Sequence, residues 1–369
     1  MRFKLLLLFC LASFYCYAQI PDGYYNTTTG KTGDELRASL RDIIKTGHVK
    51  IPYTSSAFDI WDAYKVTDVR PAPLDTVIWD MYSDIPTSSP QYTFTIVSNQ
   101  CGTASAEGDC YSREHQMPNS WWGGLDNASN PQYTDLHHLP PTDQYVNNKK
   151  SAHPIGETNT PTYTSSNGSK LGPCSWSGYT GVVFEPIDEY KGDFARAYLY
   201  LATRYMDVIG SWLTSYPTTE AQYIINSSAN NYQEWFLEML VTWSNNDPVS
   251  IKEINRNNAI YYQTPQHNRN PFIDHPEFVN SIWDQTVSAL AIEKENIKIS
   301  PNPTTGIINI YGIKNSTVVY IYSIDGQLLK SAILSSENTQ VDISDYKNGI
   351  YIVKIQNQES VKVVCISKV

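Results

Sequence analysis

The sequence predicts an α+β protein with two structural domains. Apolar residues recur at helical spacing in several stretches before residue 292, whereas short apolar strands divided by turn residues follow residue 297. With 369 residues, the chain is also long enough to bury a full-sized core and to form more than one domain. We therefore expect a mixed domain over residues 19–292 and a small antiparallel β-sandwich over residues 297–369.

The first residues predict a secretory signal peptide that belongs to neither domain. Arg2 and Lys4 precede an apolar run over residues 5–14, and Ala18 is a small residue suited to signal peptidase. The run is too short to cross a bilayer comfortably. We therefore expect residues 1–18 to be removed on export, with no stable membrane span and a monomeric mature protein.

Four stretches of the first domain show the spacing of helices. Thr32 and Glu35 hold the positions of a capping box, and leucine and isoleucine then recur at helical spacing, which predicts a helix over residues 33–46. Three further helices are predicted over residues 193–212, 231–243 and 248–261.

The remaining stretches of this domain predict strands and loops. Short strands are expected over residues 77–81 and 92–97, the second because its residues alternate in polarity. Residues 157–181 are rich in Thr, Ser, Asn and Gly and predict a long surface excursion. Residues 268–276 are polar and contain prolines without a helical or strand period, and such a loop, held against a scaffold, is a common place for function.

The second domain is predicted from short apolar strands. They are expected over residues 307–310, 317–322, 331–334, 339–343, 350–355 and 361–366. The dipeptides Asp325-Gly326 and Asn348-Gly349 are typical of hairpin turns.

The cysteines bound the redox chemistry of the mature protein. Cys101, Cys110, Cys174 and Cys365 remain after removal of the signal peptide. Export permits a disulfide, and Cys101 and Cys110 flank a loop rich in Gly, Ser and Ala that could close locally, so this pair is predicted to be bonded. No CxxC pair indicates zinc or redox chemistry.

The charge distribution counts against a general affinity for nucleic acid. Of the formal net charge of -10, residues 1–19 contribute +2 and residues 295–369 contribute +1, which leaves -13 for residues 20–294. Non-specific affinity for nucleic acid comes largely from neutralising phosphates. Any such contact must therefore come from a local basic strip or from a bound cation.

Residues 113–122 and 135–156 carry the composition of a site for phosphoryl chemistry. Hydrolysis of a phosphodiester needs an activated water and neutralisation of charge on the phosphoryl oxygens.

The His115 imidazole can accept a proton near neutral pH. Glu114 offers a hard oxygen ligand for Mg²⁺ or Ca²⁺, and Asn147 could add a carbonyl oxygen. Lys149 and Lys150 could hold the scissile strand. The sequence therefore suggests a metal-dependent nuclease site.

Several features of this region also allow a structural interpretation instead of a catalytic one. In a regular strand Glu114 and His115 would point to opposite faces, so both serve one site only if the strand ends or bends there. His137-His138 could be a zinc ligand pair or, more commonly, structural histidines. Trp121-Trp122 fits the core or a site wall better than a base-stacking platform.

Seven ordered motifs resemble the bacterial endonuclease I family over roughly residues 20–285. They lie at 113–121 (REHQMPNSW), 135–139 (DLHHL), 146–147 (VN), 184–186 (FEP), 191–196 (KGDFAR), 247–249 (DPV) and 268–274 (NRNPFID). The resemblance implies a secreted or periplasmic nuclease with a ββα-metal (His-Me) finger. It also implies cleavage of DNA, and often RNA, with little sequence preference and 5′-phosphate products.

The resemblance assigns roles to individual residues. It implies His115 as general base and Glu114 and Asn147 as ligands of a divalent cation, usually Mg²⁺, with Ca²⁺ or Mn²⁺ as alternatives. His138 lies in the same finger and could also approach the metal. Substrate contacts are expected at Arg113, Lys150, Arg196 and Arg269, and internal salt bridges are an equal alternative for the last two.

Three positions depart from the family pattern. Lys150 stands where Arg is usual in Val-Asn-x-x-Arg, which keeps the charge but loses bidentate geometry. Ser244 follows Trp243 where His is expected, and Ile155 follows Pro154 where Phe is usual. These departures bear on rate and substrate range more than on reaction type.

The tail resembles the C-terminal type A sorting domain of the type IX secretion system of Bacteroidota. The resemblance rests on residues 299–306 (ISPNPTTG) and 348–353 (NGIYIV). It implies recognition by the secretion machinery, passage across the outer membrane to the exterior or the cell surface, and removal of the tail.

Three functions follow as hypotheses. The leading one is a secreted, Mg²⁺-dependent, non-specific endonuclease. A catalytically weak nucleic-acid or surface-binding protein that kept the fold is the alternative, favoured by the acidic charge and by Lys150. An adhesin role of the β-domain is the third.

Overall fold

A computed structural model describes residues 20–218, 220–227, 230–283, 298–312, 317–323, 328–335, 339–356 and 361–369. The chain divides into two compact units, Met1–Gln285 and Thr286–Val369. The predicted signal peptide lies outside the described residues. Within them, no helix combines the length and apolarity needed to cross a membrane.

The first unit mixes helices with short antiparallel strands. Its helices are α1 (Gly33–Lys45), α2 (Ile60–Thr67), α3 (Gln144–Lys150), α4 (Asp188–Arg204), α5 (Ile209–Ser215), α6 (Glu234–Asn246), α7 (Ile251–Gln263), α8 (Pro271–Asp274) and α9 (Glu277–Trp283). Its strands are β1 (Tyr111–Arg113), β2 (Pro141–Asp143), β3 (Tyr163–Thr164), β4 (Lys170–Pro173) and β5 (Val182–Glu185). The predicted α+β class is confirmed.

Helix α4 is the centre of this unit. It packs against α1, α6 and α8, and residues on all of its faces are buried, including Phe194, Tyr198 and Leu201. A helix with no exposed face must lie inside a core rather than on its surface. The other elements therefore form layers around α4.

The predicted helix over residues 33–46 is confirmed as α1, but its predicted capping box is wrong. Thr32 is extended and its side chain makes no capping hydrogen bond. The acidic residues of the first turn still favour the helix N-terminus electrostatically. Capping boxes occur instead at α2, through Asp59 and Asp62, and at α7, through Ser250 and Glu253.

The helix predicted over residues 193–212 is wrong in its extent. Helix α4 begins five residues earlier, at Asp188, and ends at Arg204, and α5 follows as a separate helix. The break comes at Tyr205, whose hydroxyl donates to Asp135 Oδ2 over 2.8 Å. This tertiary bond holds Tyr205 against the connection between β1 and β2, to which Asp135 belongs. The other two predicted helices are confirmed as α6 and α7, each beginning three residues later.

Two loop predictions need correction. Residues 157–181 contain β3 and β4, which form a three-stranded antiparallel sheet with β5. Residues 268–276 contain the single turn α8, in which Asn270 accepts from the Phe272 amide and so caps the turn.

The strands predicted over residues 77–81 and 92–97 are wrong as regular strands. Val77 pairs with Thr95 only through an isolated bridge, and Ile78 pairs in the same way with Val69. Val97 has a φ of 67°, so the chain turns immediately after the bridge. A continuous ladder cannot extend past that turn.

Strands β1 and β2 form an antiparallel ribbon that leads directly into α3. Tyr111 pairs with Asp143, and Arg113 pairs with Pro141. Asp143 also caps α3, because its Oδ1 accepts from the amides of Tyr145 and Val146 at 2.7 and 2.9 Å. The order strand, strand, helix thus arises in one local unit of the chain.

A disulfide lies immediately before this unit. Cys101 and Cys110, the pair that the sequence predicts, are bonded with a Cα–Cα distance of 5.8 Å. Cys174 and Cys365 are free thiols.

The second unit consists of two antiparallel sheets. Its strands are β6 (Lys298–Ser300), β7 (Ile307–Tyr311), β8 (Thr317–Ser323), β9 (Leu328–Leu334), β10 (Gln340–Asp342), β11 (Gly349–Gln356) and β12 (Val361–Lys368). The sheet orders are β10-β7-β6 and β12-β11-β8-β9. Both sheets contribute to one apolar core, which includes Ile308, Val319 and Val353. The prediction of an antiparallel β-domain is confirmed.

The turn predictions in this unit have different outcomes. Asp325-Gly326 lies outside the described residues. Asn348-Gly349 does not form a hairpin, because the strand before it, β10, pairs with β7 in one sheet whereas β11 pairs with β8 and β12 in the other. The chain crosses between sheets at this point.

Candidate active site

An open pocket of about 510 Å³ lies where β1 ends beside α3. Because β1 ends at Arg113, Glu114 and His115 leave the ladder and both line this pocket, which removes the difficulty of opposite strand faces. Asn147 lines it from α3. The lining residues are Tyr53, Arg113, Glu114, His115, Pro118, Asn119, Ser120, Gln144, Asn147, Asn148, Ser151 and Ala152.

The His115 ring is held in one tautomer. Its Nε2 lies 2.8 Å from the carbonyl oxygen of Tyr133, and since a carbonyl only accepts, Nε2 must carry the proton. Nδ1 then keeps the lone pair. Burial, reinforced by nearby His138, lowers the pKa of His115 to about 3. The ring is therefore neutral at physiological pH and can accept a proton at Nδ1.

The chain that carries His115 is anchored from a distance. Tyr133 belongs to the connection between β1 and β2, and two residues later Asp135 accepts from the hydroxyls of Tyr200 and Tyr205 at 2.9 and 2.8 Å. Asp135 also accepts from Gln266 Nε2 at 2.8 Å. The position of the Tyr133 carbonyl, and hence the tautomer of His115, depends on helix α4.

Glu114 is a buried carboxylate with one engaged oxygen. Its Oε1 lies 2.9 Å from Lys150 Nζ and accepts from the Tyr82 hydroxyl at 3.2 Å. Burial raises the pKa of Glu114, and Lys150 opposes that rise. Its Oε2 has no hydrogen-bond partner among the described residues, although the residue lines the pocket. This oxygen is available to a ligand.

The donor set fits a hard divalent cation. Glu114 Oε2 is a carboxylate oxygen, and the Asn147 side chain adds an amide oxygen with no partner among the described residues. Mg²⁺ favours such oxygen donors and usually keeps several waters. No cluster of three or more His, Cys, Asp or Glu side chains suited to a metal occurs in the described chain. A cation here would thus keep open positions.

Arg113 lies at the edge of the pocket, with its guanidinium carbon 3.5 Å from the Tyr53 ring centre and 4.4 Å from that of Trp61. It donates to the Tyr53 carbonyl at 2.6 Å and to Thr54 Oγ1 at 3.0 Å. Its planar charge is stacked in place beside the pocket. It remains a candidate for a phosphate contact.

The adjacent histidines do not line the pocket. His138 is buried, and its Nε2 donates to the Gln132 carbonyl at 2.6 Å. His137 Nε2 lies 3.3 Å from the Asn268 carbonyl, on another side of the chain. Trp121 and Trp122 are buried as well, and Trp122 meets the His115 ring edge-on at 5.5 Å. The tryptophans form core and site wall.

The substrate-contact predictions for Arg196 and Arg269 are corrected by their burial. Arg196 is fully buried and makes a bidentate pair with Glu253, at 2.5 and 2.7 Å. Arg269 makes the same kind of pair with Asp274, at 2.6 Å for both bonds. The internal salt bridge is therefore the alternative that the structure contains. Lys150 is likewise buried against Glu114 and absent from the pocket lining.

Sequence reasoning missed part of the lining. Tyr53, Asn119, Ser120, Gln144 and Asn148 line the pocket, but the sequence analysis gave none of them an individual role. Four of them lie within five positions of a predicted residue, so proximity to His115 and Asn147 was a usable signal. Tyr53 comes from a distant loop and gave none.

Comparison with known proteins identifies the families of both units. The family described as Endonuclease I matches residues 32–277, and the Secretion system C-terminal sorting domain matches residues 298–367. An extracellular ribonuclease of Bacillus amyloliquefaciens is 34% identical over 263 residues, covering 70% of this chain and 78% of the relative. An extracellular ribonuclease of Bacillus subtilis (strain 168) is 31% identical over 268 residues, covering 71% and 78%.

A weaker likeness concerns a solved structure of PorZ, described as an essential bacterial surface component of the type IX secretion system of Porphyromonas gingivalis. It covers 21% of this chain and 12% of that chain, with 22% identity and a TM-score of 0.19. No conclusion about the fold rests on it.

The pocket brings a neutral histidine together with a carboxylate and an amide, groups that are suited to hydrolytic chemistry. More specifically, the chain belongs to the endonuclease I family and is a nuclease, with a C-terminal type IX secretion sorting domain. The protein is therefore secreted or held at the cell surface.

Proposed function

We propose that this protein is a divalent-metal-dependent endonuclease that hydrolyses DNA and RNA with little sequence preference. One observation carries the proposal: the Tyr133 carbonyl fixes the proton of His115 on Nε2, so that Nδ1 keeps its lone pair on a ring that lines the same pocket as Glu114 and Asn147. The ribbon β1-β2 followed by α3 supports a ββα-metal finger as the frame of this site. Both Bacillus relatives are named ribonucleases, which supports RNA as a substrate.

His115 supplies the base of the proposed mechanism. A water between its Nδ1 and the scissile phosphorus would lose a proton to the ring as it attacks. Trp122, packed edge-on against the ring, and the bond to Tyr133 keep the imidazole from rotating. Burial disfavours the imidazolium that this step forms, so the negative charge of the bound phosphate would have to stabilise it.

Glu114 and Asn147 would hold the cation. When bound, a divalent cation stabilises the charge that develops on the phosphoryl and leaving oxygens. The chain contributes two oxygen donors and an open, polar pocket wide enough for a phosphodiester. Arg113 would bind a neighbouring phosphate at the rim, since its guanidinium is already oriented by Tyr53 and Trp61.

The acidic charge of the first unit remains consistent with this activity. Long-range attraction of the polyanion is weak when the surrounding domain is itself negative. Affinity must then come from the cation and a few local contacts, so we expect cleavage to fall only modestly with added salt, because the salt dependence grows with the number of phosphates that the protein neutralises.

The proposal is tested by degradation of plasmid DNA and of RNA by the purified protein with MgCl₂, with EDTA, and as His115→Ala. We expect no cleavage in EDTA and a loss of about 10²–10⁴-fold in the variant, as for removal of a general base. His267→Ala is the matched control, because His267 is exposed and lies outside the pocket. Undiminished cleavage by His115→Ala would refute the mechanism, and inert wild-type protein with Mg²⁺, Ca²⁺ and Mn²⁺ alike would favour a binding protein.

A further inference from the structure

Lys150 is a buried lysine at the candidate metal site. Its side chain is 1% exposed, and its Nζ lies 2.9 Å from Glu114 Oε1. A fully buried lysine is rare without a partner of opposite charge. The neighbouring lysine differs, because Lys149 is half-buried, with its Nζ 5.0 and 5.5 Å from the ring centres of Tyr145 and Tyr163.

The two oxygens of Glu114 serve different sides of the residue. Oε1 faces the protein interior, where it meets Lys150 Nζ and the Tyr82 hydroxyl. Oε2 has no partner among the described residues, and Glu114 also lines the pocket. A cation bound to Oε2 would therefore share the Glu114 carboxylate with the Lys150 ammonium group and would not need to displace that group.

We propose that Lys150 is a built-in counter-ion of Glu114 that lets the site fold without a divalent cation and, by its positive charge, weakens cation binding at the same carboxylate. This inference rests on the proposed metal dependence. It makes Lys150 a positioning residue that acts through Glu114 rather than a contact of the substrate.

Physical reasoning supports both parts of the proposal. A buried carboxylate that loses its only cationic partner leaves an uncompensated charge, which is strongly destabilising. Lys150 removes this cost in the metal-free protein. In return, two cations at one carboxylate repel each other in a poorly solvated place, where charges interact more strongly than in water.

Arginine in this position would act differently. Its planar fork holds both oxygens of a carboxylate, whereas an ammonium is a point charge that holds one. With Lys150 on Oε1 alone, Oε2 stays open to the pocket. The presence of Lys150 where the family usually has arginine therefore leaves one oxygen of Glu114 free to bind the metal.

The first test is calorimetric titration of the full-length protein with MnCl₂ at pH 8.5. Wild type, Lys150→Met and Lys149→Met are compared, and the last is a matched loss of one charge on the same helix. We expect Lys150→Met to bind Mn²⁺ about tenfold more tightly than wild type, the effect of a unit charge within a few ångströms. Lys149→Met should stay within about threefold, because the Lys149 ammonium has no ion pair with Glu114 and its partial exposure lets water and salt screen its charge.

The second test is thermal unfolding followed by tryptophan fluorescence, with EDTA and with saturating MnCl₂. In EDTA we expect Lys150→Met to unfold roughly 10 °C below wild type, since one member of a buried pair is lost. Saturating MnCl₂ should restore most of this difference. The double variant Glu114→Gln/Lys150→Met should be more stable in EDTA than Lys150→Met alone, which keeps the proposal testable if the single variant does not fold in EDTA.

The outcomes separate this inference from the proposed function. If wild type binds Mn²⁺ and Lys150→Met binds it equally or less tightly, the counter-ion role is overturned and the metal-dependent mechanism stands. If no variant binds Mn²⁺, both are overturned. A Lys150→Met protein whose stability does not respond to MnCl₂, although it binds the ion, also overturns the inference.

Discussion

Buried neutral histidines make this fold sensitive to acid, and His137 allows the effect to be measured. Its ring is 5% exposed, lies 3.3 Å through Nε2 from the Asn268 carbonyl, and packs on Tyr200 at 4.6 Å. Burial lowers the pKa of His137 to about 3 in spite of the opposing charge of Asp135. The unfolded chain, with an ordinary pKa of about 6.5, takes up the proton first as the pH falls.

The sign and size of this effect follow from linkage. Between about pH 6.5 and pH 3 the unfolded state binds more protons at this residue, so the folded state loses stability as the pH falls. From pH 7.5 to pH 5, a shift from about 6.5 to about 3 corresponds to about 2 kcal/mol of unfolding free energy for this one histidine. Raised pKa values at Asp80 and Asp247 act in the opposite direction, so the whole protein does not report the effect cleanly.

A difference measurement isolates His137. Glutamine can still donate to the Asn268 carbonyl but cannot titrate, so His137→Gln should lose stability at pH 7.5 and recover about 2 kcal/mol relative to wild type by pH 5. Urea unfolding followed by tryptophan fluorescence measures this gap, and all nine tryptophans precede residue 284, so the signal reports the first unit alone. Stability curves of wild type and variant that run parallel from pH 7.5 to pH 5 would refute the reasoning.

Two further predictions concern the packing around α4. Glu253→Gln should lower the unfolding free energy by about 3–5 kcal/mol, because it removes the charge that pairs with the buried guanidinium of Arg196. Urea unfolding measures this loss of stability, and a loss below about 1 kcal/mol would contradict the prediction. Gly192→Ala should cost about 2 kcal/mol, since the new Cβ would lie 2.4 Å from the Asp247 carbonyl oxygen. Gly102→Ala is its control, because nothing lies within 4 Å of that Cβ, and equal urea midpoints for the two variants would count against the packing argument.

The elements that sequence reasoning predicted correctly are those decided by local pattern. Helix α1 presents one apolar face to the core, and that face appears in the sequence as helical spacing. The break at Tyr205 escaped prediction, and there the Tyr205 hydroxyl bonds to Asp135, seventy positions away. A tertiary contact of this kind leaves no trace in local periodicity.

The candidate site likewise has features that the sequence pattern predicts and features that only the tertiary structure shows. The sequence placed Glu114, His115 and Asn147 in one site, and the structure brings all three to one pocket. The partner that fixes the His115 tautomer is the Tyr133 carbonyl, a backbone group whose position no side-chain pattern encodes. Arg196 and Lys150 carry the charge expected of phosphate contacts, and only burial reveals that they neutralise carboxylates instead.

The connection between β1 and β2 is anchored at both ends and exposed in its middle. Trp122 is buried at one end of the connection and Asp135 is tied to α4 at the other, whereas residues 125–129 between them are exposed. Exposed loop tips tolerate insertions and deletions, because little packing depends on them. Insertions or deletions here, by natural variation or by design, should therefore leave the proton of His115 in place.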